Sequence, residues 1–405
     1  MAAEAFEGAG EVLRDLRAAA RWSQQELADH AGRGASRRMI SMVESGAQRA
    51  STSFISAVAK ALEVDPVVFV STAHQSGPSL GRVESALPEI RRVLATYDCP
   101  SDLGGPQREL DRIAADVERA CALRLAARYG ELAGMLVPIL DELTVCAHML
   151  DGCDRERAFW LLAMAYRCVD AVLYKSGHPD ISSIATDRMS WAASRSGDPL
   201  MVATVGYVRA QAFFDLGAST VERGLGLLAR TAAPLESSLG TDQQAAGVYV
   251  ALQVRSGILA AKAGQSATAL EHLDAAEQAV GQIGANATVY GTYVGSNSLA
   301  ISRFTAFVEL GDGESAIEAA RGWRPAPDIP QERSSHALID LARALTWVDQ
   351  QPQALEYLLT ARSLAPQHTR MHPMVAPTLE RVRTRLSRRS DRAEALAAWL
   401  GLPSR

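Results

Sequence analysis

Between about residue 84 and residue 400, apolar side chains recur at intervals of three and four and are broken by glycine or proline turns. Nothing in that stretch alternates with the period of two that a strand requires. The pattern predicts an all-α chain built of helical hairpins, with turns centred on Gly130, Gly177, Gly217, Gly264, Gly311 and Asp349. Two hairpins share a register. In Ala251 to Val280, Gly257 and Ala260 precede the turn at Gly264, and Ala269, Leu273 and Ala276 follow it. In Ser335 to Pro366, Ala342 and Leu345 precede Asp349, and Ala354, Leu358 and Ala361 follow. Antiparallel helix pairs stack closely only where the contact points are this small.

Ahead of the hairpins lies a shorter helical domain, residues 8–70, expected to hold five helices. Residues 1–9 read as frayed, and Glu11 to Arg21 as a first helix with Val12, Leu13, Leu16 and Ala20 inward. Ser23 with Glu26 three residues on forms a capping box, starting a helix that Gly32 ends. Ser36 caps the next, whose apolar Met39, Ile40 and Val43 share one face and leave Arg37, Arg38, Ser41 and Met42 on or near the other; Gly46 supplies its stop. Val67 to Val70 closes this bundle. Ser71 to Gly81, rich in Ser, Gly and Pro, sets a linker over 71–83 and a hairpin domain over 84–400.

A short helix with two arginines and a serine outward fits the major groove, where arginine pairs bidentately with guanine. Gln24, at a helix N-terminus, and Arg49, just past the second helix, stand where phosphates would be held. The charge is local: residues 1–70 hold eight Lys or Arg against nine Asp or Glu, yet between 33 and 49 Arg33, Arg37, Arg38 and Arg49 face only Glu44. Modest non-specific affinity and dimeric binding are therefore expected.

Leu16-Arg17, Ser23-Gln24-Gln25-Glu26-Leu27-Ala28, Ala31-Gly32 and Ile40-Ser41-Met42-Val43-Glu44-Ser45-Gly46 together resemble the phage-repressor-like helix-turn-helix family, also called the xenobiotic-response-element (XRE) type. Ile55, Ala59, Ala61, Leu62 and Val64 resemble the run of its last helices. The resemblance implies that Arg37, Arg38 and Met42 face bases, with Ser36 and Ser41 beside them. It further implies that Gln24 and Arg49 contact phosphates, and that Arg17 pairs with Glu44 inside the domain. The turn is two residues longer than the family's, through Arg33-Gly34-Ala35, and Ala50 stands where a proline is common. The hairpin domain in turn resembles a tetratricopeptide array, although its turns lie 47, 40, 47, 47 and 38 residues apart and are more widely spaced than that family's.

Composition narrows the classes. The five cysteines, Cys99, Cys121, Cys146, Cys153 and Cys168, are odd in number and scattered, which suits a reducing cytoplasm. Cys146, His148 and Cys153 lack a second paired motif, so no metal and no cofactor is expected. No apolar run of eighteen residues occurs, and the first residues lack a basic region before an apolar one, so neither secretion nor membrane spanning is expected. Arginine richness beside only Lys60, Lys175 and Lys262 reads as the codon bias of a GC-rich bacterial genome. Nucleotide-binding, metalloprotease and hydrolase-elbow motifs are missing and the eight histidines are dispersed, so the chain does not read as an enzyme.

Counting back from each turn at helical spacing gives one stripe on the first helix of each hairpin. It contains Arg167 and Tyr174, then Tyr207, Gln211 and Phe214, then Tyr293 and Asn297, then Arg343, with His336 one residue off. Aromatic and amide groups on successive turns suit an extended peptide. The architecture resembles bacterial cytoplasmic sensors of short signalling peptides. The expectation is a homodimeric transcription regulator that binds a double-stranded DNA operator and senses a peptide or small-molecule effector. The alternative is a protein-interaction scaffold whose small domain binds DNA weakly.

Overall fold

The computed structural model describes residues 5–6, 10, 13–14, 17, 20, 22–32, 35–45, 48, 50–62, 78–100, 108–214, 220–284, 286–386 and 388–403. The chain is all-α, with 19 α-helices and two very short two-stranded sheets among these residues. It divides into two compact units, Met1–Pro78 with Glu394–Arg405, and Ser79–Ala393.

In the first unit, residues 10, 13, 14 and 17 are helical. They are followed by α1 (Gln24–Ala31), α2 (Arg37–Glu44) and α3 (Thr52–Ala61). The core gathers Leu13, Leu27, Ile40, Val43, Phe54, Ile55, Val58 and Ala59. Ala5 and Phe6, within the segment expected to fray, form β1 (Ala5–Phe6), which pairs antiparallel with β2 (Ala50–Ser51). The expected closing segment Val67–Val70, the stop at Gly46 and the base of the linker, 71–77, fall outside the described residues.

The second unit starts earlier than the linker reading allowed. Helix α4 (Pro78–Ala95) takes in 78–83, since a proline is tolerated in the first turn of a helix, where its missing N–H has no partner to lose. Six hairpins follow: α5 (Leu110–Leu125) with α6 (Tyr129–Met149), α7 (Gly152–Lys175) with α8 (Pro179–Ala193), α9 (Pro199–Arg209) with α10 (Val221–Ala232), α11 (Gln243–Lys262) with α12 (Ser266–Val280), α13 (Ser296–Glu309) with α14 (Gly313–Ala319), and α15 (Gln331–Trp347) with α16 (Gln351–Leu364). Their first helices form a continuous inner layer, α5 on α7 on α9 on α11 on α13 on α15, and the curl is tight enough that α15 also touches α5. Gly177, Gly264, Gly311 and Asp349 all turn with positive φ. Gly217 lies outside the described residues. At the first hairpin the turn is made by Ala127, not Gly130, which is buried in the first turn of α6. The small positions of the two registered hairpins are buried, and a Cβ on Gly257 would come within 3.1 Å of the Ala269 carbonyl.

One sequence expectation fails here. A strand pair does occur within 84–400: β3 (Ala287–Val289) and β4 (Thr292–Val294) form an antiparallel hairpin. The stretch 376–400 divides between the two units. Of its helices, α18 (Val375–Arg385), which follows the short α17 (Pro366–Met371), packs on α15 and α16, whereas residues 394–405, in and beyond α19 (Asp391–Leu400), group with the first unit. Helix α6 is long and apolar enough by composition to cross a membrane, and it packs between α5 and α7.

Candidate nucleic-acid interface and effector site

The helical pair of the first unit is set by local hydrogen bonds. The Ser23 hydroxyl accepts from the Glu26 N–H at 3.2 Å while the Ser23 N–H donates to the Glu26 carboxylate at 2.6 Å, closing the capping box at the start of α1. Gly32 ends α1 at φ 63°, and after the turn the Ser36 hydroxyl accepts from the Met39 N–H at 3.3 Å to open α2. Ile40 and Val43 then point into the core, and Arg37, Arg38 and Ser41 are exposed.

Glu44, at the end of α2, is buried. Arg17 meets its two carboxylate oxygens at 2.6 and 2.9 Å, the Gln24 amide donates to it at 2.8 Å, and Arg14 donates to its main-chain carbonyl. Burial pushes the Glu44 carboxyl upward, but the hydrogen bonds from Arg17 and Gln24 and the Arg17 charge outweigh it and hold the group below the ordinary carboxylate range. The arrangement clamps α2 to the preceding helical segment and to α1, and it neutralises a carboxylate that would otherwise repel a phosphate backbone.

The inner face of the second unit is occupied by its own hairpin. Arg124 on α5 donates to the Gly291 carbonyl, and Arg167 on α7 donates to the Tyr290 carbonyl and, at 2.7 Å, to the Thr292 hydroxyl. The Tyr290 hydroxyl donates to Asp198 at 2.6 Å, and the Trp160 indole N–H donates to the same carboxylate at 3.0 Å. Tyr290 and Gly291 both have positive φ, 46° and 72°, the geometry of a tight hairpin turn that matches strand twist. A Cβ on Gly291 would stand 3.0 Å from Arg124 and 3.2 Å from Arg167, at a φ that side chains rarely adopt, so glycine suits the position on both counts. Burial first, and then the Arg124 charge, draw the Arg167 guanidinium down to about 10.

Residues 9–69 match a family model described as a helix-turn-helix domain. This segment is a helix-turn-helix domain. No curated protein matches the chain. Among solved structures, Bacillus thuringiensis PlcR in complex with the peptide PapR7 and DNA is 12% identical over 88% of this chain and 99% of that chain, at a TM-score of 0.34.

Within the helix-turn-helix domain, Ser36, Arg37, Arg38 and Ser41 lie together on the exposed side of α2, and Met42 is half-buried beside them. Gln24 is half-buried and its amide is directed at Glu44; Arg49 lies outside the described residues. In the repeat unit, Arg167, Tyr207 and Phe214 come together. The Arg167 guanidinium lies 5.7 Å from the Tyr207 ring centroid, and Arg255 lies 4.0 Å from Tyr207 and 5.5 Å from Phe214. Burial opposes ionisation of the Tyr207 phenol, and the Arg255 and Arg167 charges outweigh it, leaving it below its ordinary value. Tyr293 and Asn297 both donate to Asp328, at 3.2 and 3.3 Å. Arg343 belongs to a separate ion-paired group with Glu309 at 2.8 Å and Asp340 at 3.4 Å, and Tyr174 and Gln211 are half-buried. Sequence reasoning missed Arg124, Asp198, Trp160, Tyr290 and Gly291. The signal for the last two was in Thr288-Val-Tyr-Gly-Thr-Tyr-Val294, β-branched and aromatic residues flanking a Tyr-Gly turn.

Proposed function

We propose that the chain is a sequence-specific, homodimeric DNA-binding transcription regulator of the XRE type, with a tetratricopeptide-like repeat unit that senses an effector. One observation carries the reading: α2 presents Arg37, Arg38 and Ser41 outward while its opposite side is fixed by Ile40, Val43 and the Arg17–Glu44–Gln24 cluster. A helix held at that rigidity can place arginines against guanine edges, and Ser36 at its N-terminus offers a hydroxyl and free N–H groups to a phosphate. Two copies in a dimer bring two such helices to half-sites about 34 Å apart. Selection from a random duplex library with the purified protein tests this. Enrichment of an inverted repeat is the expected result, and a pool that stays random after repeated rounds refutes it.

The effector we favour is a short peptide. Arg124 and Arg167 are already spent on main-chain carbonyls, the groups an extended peptide offers, and Tyr207 and Phe214 supply aromatic cover. A peptide that took these donors would displace the Tyr290–Gly291 turn, and its differential affinity for the two arrangements would bias the dimer between states.

A further inference from the structure

We propose that His336, His368 and His372 form a binding site for one divalent transition-metal ion of the zinc, cobalt or nickel class. Dispersed in sequence, they converge in the fold: His336 stands on α15, His368 on α17, and His372 caps the end of α17. One nitrogen from each ring lies within 4.8 Å of the others. The three rings sit with centroids 4.9 to 5.8 Å apart. A tetrahedral ion with metal–nitrogen bonds of about 2.0–2.1 Å needs its donors roughly 3.4 Å apart, so loading requires a small contraction of side chains and no new fold.

The second observation is His368 itself. The ring is fully buried, and its Nε2 has no hydrogen-bond partner among the described residues. Its Nδ1 lies 3.0 Å from the Ser335 hydroxyl, which is in turn 3.0 Å from the Thr369 hydroxyl. With the Nδ1 proton donated to Ser335, Nε2 carries a bare lone pair, which is how outer hydrogen bonds orient a metal-ligating imidazole. The Glu332 carboxylate lies 3.7 Å from that nitrogen, beyond hydrogen-bond length and within reach of a fourth ligand position. Lys175 is paired with the same carboxylate at 3.0 Å, so Glu332 balances the lysine charge and would have to share its oxygens to serve as that ligand, and Arg343 nearby is paired with Glu309 and Asp340. His336 Nε2 is 3.5 Å from Asp340, a loose contact, and that carboxylate also accepts from Thr305 at 3.0 Å. His372 Nδ1 accepts a weak 3.3 Å bond from the Met374 N–H. A set dominated by three imidazoles selects zinc, cobalt or nickel over magnesium or calcium.

The site lies on the seam where the last hairpin meets the first. The Gly130 N–H donates to the Gln367 side chain at 3.0 Å, next to His368 in sequence, and Lys175 and Glu332 bridge α7 and α15. An ion joining α15 to α17 would fix these two helices to each other on one side of that seam.

Titration of the chelator-stripped full-length protein with cobalt(II) chloride tests the proposal. The expected results are one cobalt per chain, a visible spectrum of a four- or five-coordinate ion, and displacement by zinc. X-ray absorption of the zinc-loaded wild type should show imidazole nitrogen and no sulfur, a readout that needs no variant to fold. His336→Ala should abolish tight binding, and Ser335→Ala, which removes only the orienting hydroxyl, should weaken it by about 10- to 100-fold. Absence of saturable cobalt binding, sulfur in the coordination sphere, or unchanged affinity in a folded His336→Ala protein would overturn it.

Discussion

Glu44 shows what single side chains contribute to this fold. It is buried with Arg17 bidentate on it, and removing one member of such a pair leaves an uncompensated charge. Arg17→Ala is expected to destabilise the helix-turn-helix domain by about 3 kcal/mol. Hydrogen exchange along α1 and α2 would show it, with faster exchange there and no change in α11 or α13. The pH dependence has a definite sign. The folded Glu44 carboxyl sits below its ordinary value, so its contribution is fully present above pH ~4.5 and is lost as pH falls through the folded value. Acid unfolding of the wild type should show a loss of protection in α2 below that pH, and Glu44→Gln should remove the dependence. The pairing of Arg17 with Glu44 was legible through the family's spacing. The commitment of Gln24 to Glu44 was not, because whether an amide turns inward or toward a phosphate depends on where a neighbouring segment puts its carboxylate, and no local pattern records that.

At the scale of elements, helices were legible and the hairpin was not. Leu27, Ile40 and Val43 fall on one face by their spacing, and Ser23 and Ser36 mark starts that the backbone uses. The turns at Gly177, Gly264, Gly311 and Asp349 follow from residues that tolerate positive φ, and Asp is among the few side chains that do so. Ala127 escaped notice because alanine gives no such signal. The strands Ala287–Val289 and Thr292–Val294 are each three residues long, too short for alternation to stand out against a helical background, and what holds them is remote: Arg124, Arg167 and Asp198. Tyr290→Phe keeps the ring against Trp160 and removes the bond to Asp198, costing the hairpin about 1.5–3 kcal/mol. Hydrogen exchange of residues 287–294 should quicken accordingly. Gly291→Ala should act more strongly, since it adds both a strained φ and a clash with two guanidiniums.

For the whole molecule, the proposed function joins an exposed α2 in one unit and an inner face occupied by the chain's own hairpin in the other to two copies and a ligand. Native mass spectrometry should give a dimer, and a hairpin loosened by Tyr290→Phe should alter operator affinity without touching α2. The histidine cluster belongs to this scale too: residues 336, 368 and 372 look dispersed along the chain, and only the closure of the last hairpin brings them together. The central claim is that α2 reads DNA. It is tested most directly by gel-shift titration of Arg37→Ala/Arg38→Ala against the wild type, at one fixed salt concentration, on the selected duplex and on a scrambled one. Each bidentate arginine is worth about 1–3 kcal/mol of discrimination, so the double variant should bind the selected duplex at least about 10-fold more weakly and lose most of its preference over the scrambled one. Equal affinity and equal preference in the two proteins would contradict the account.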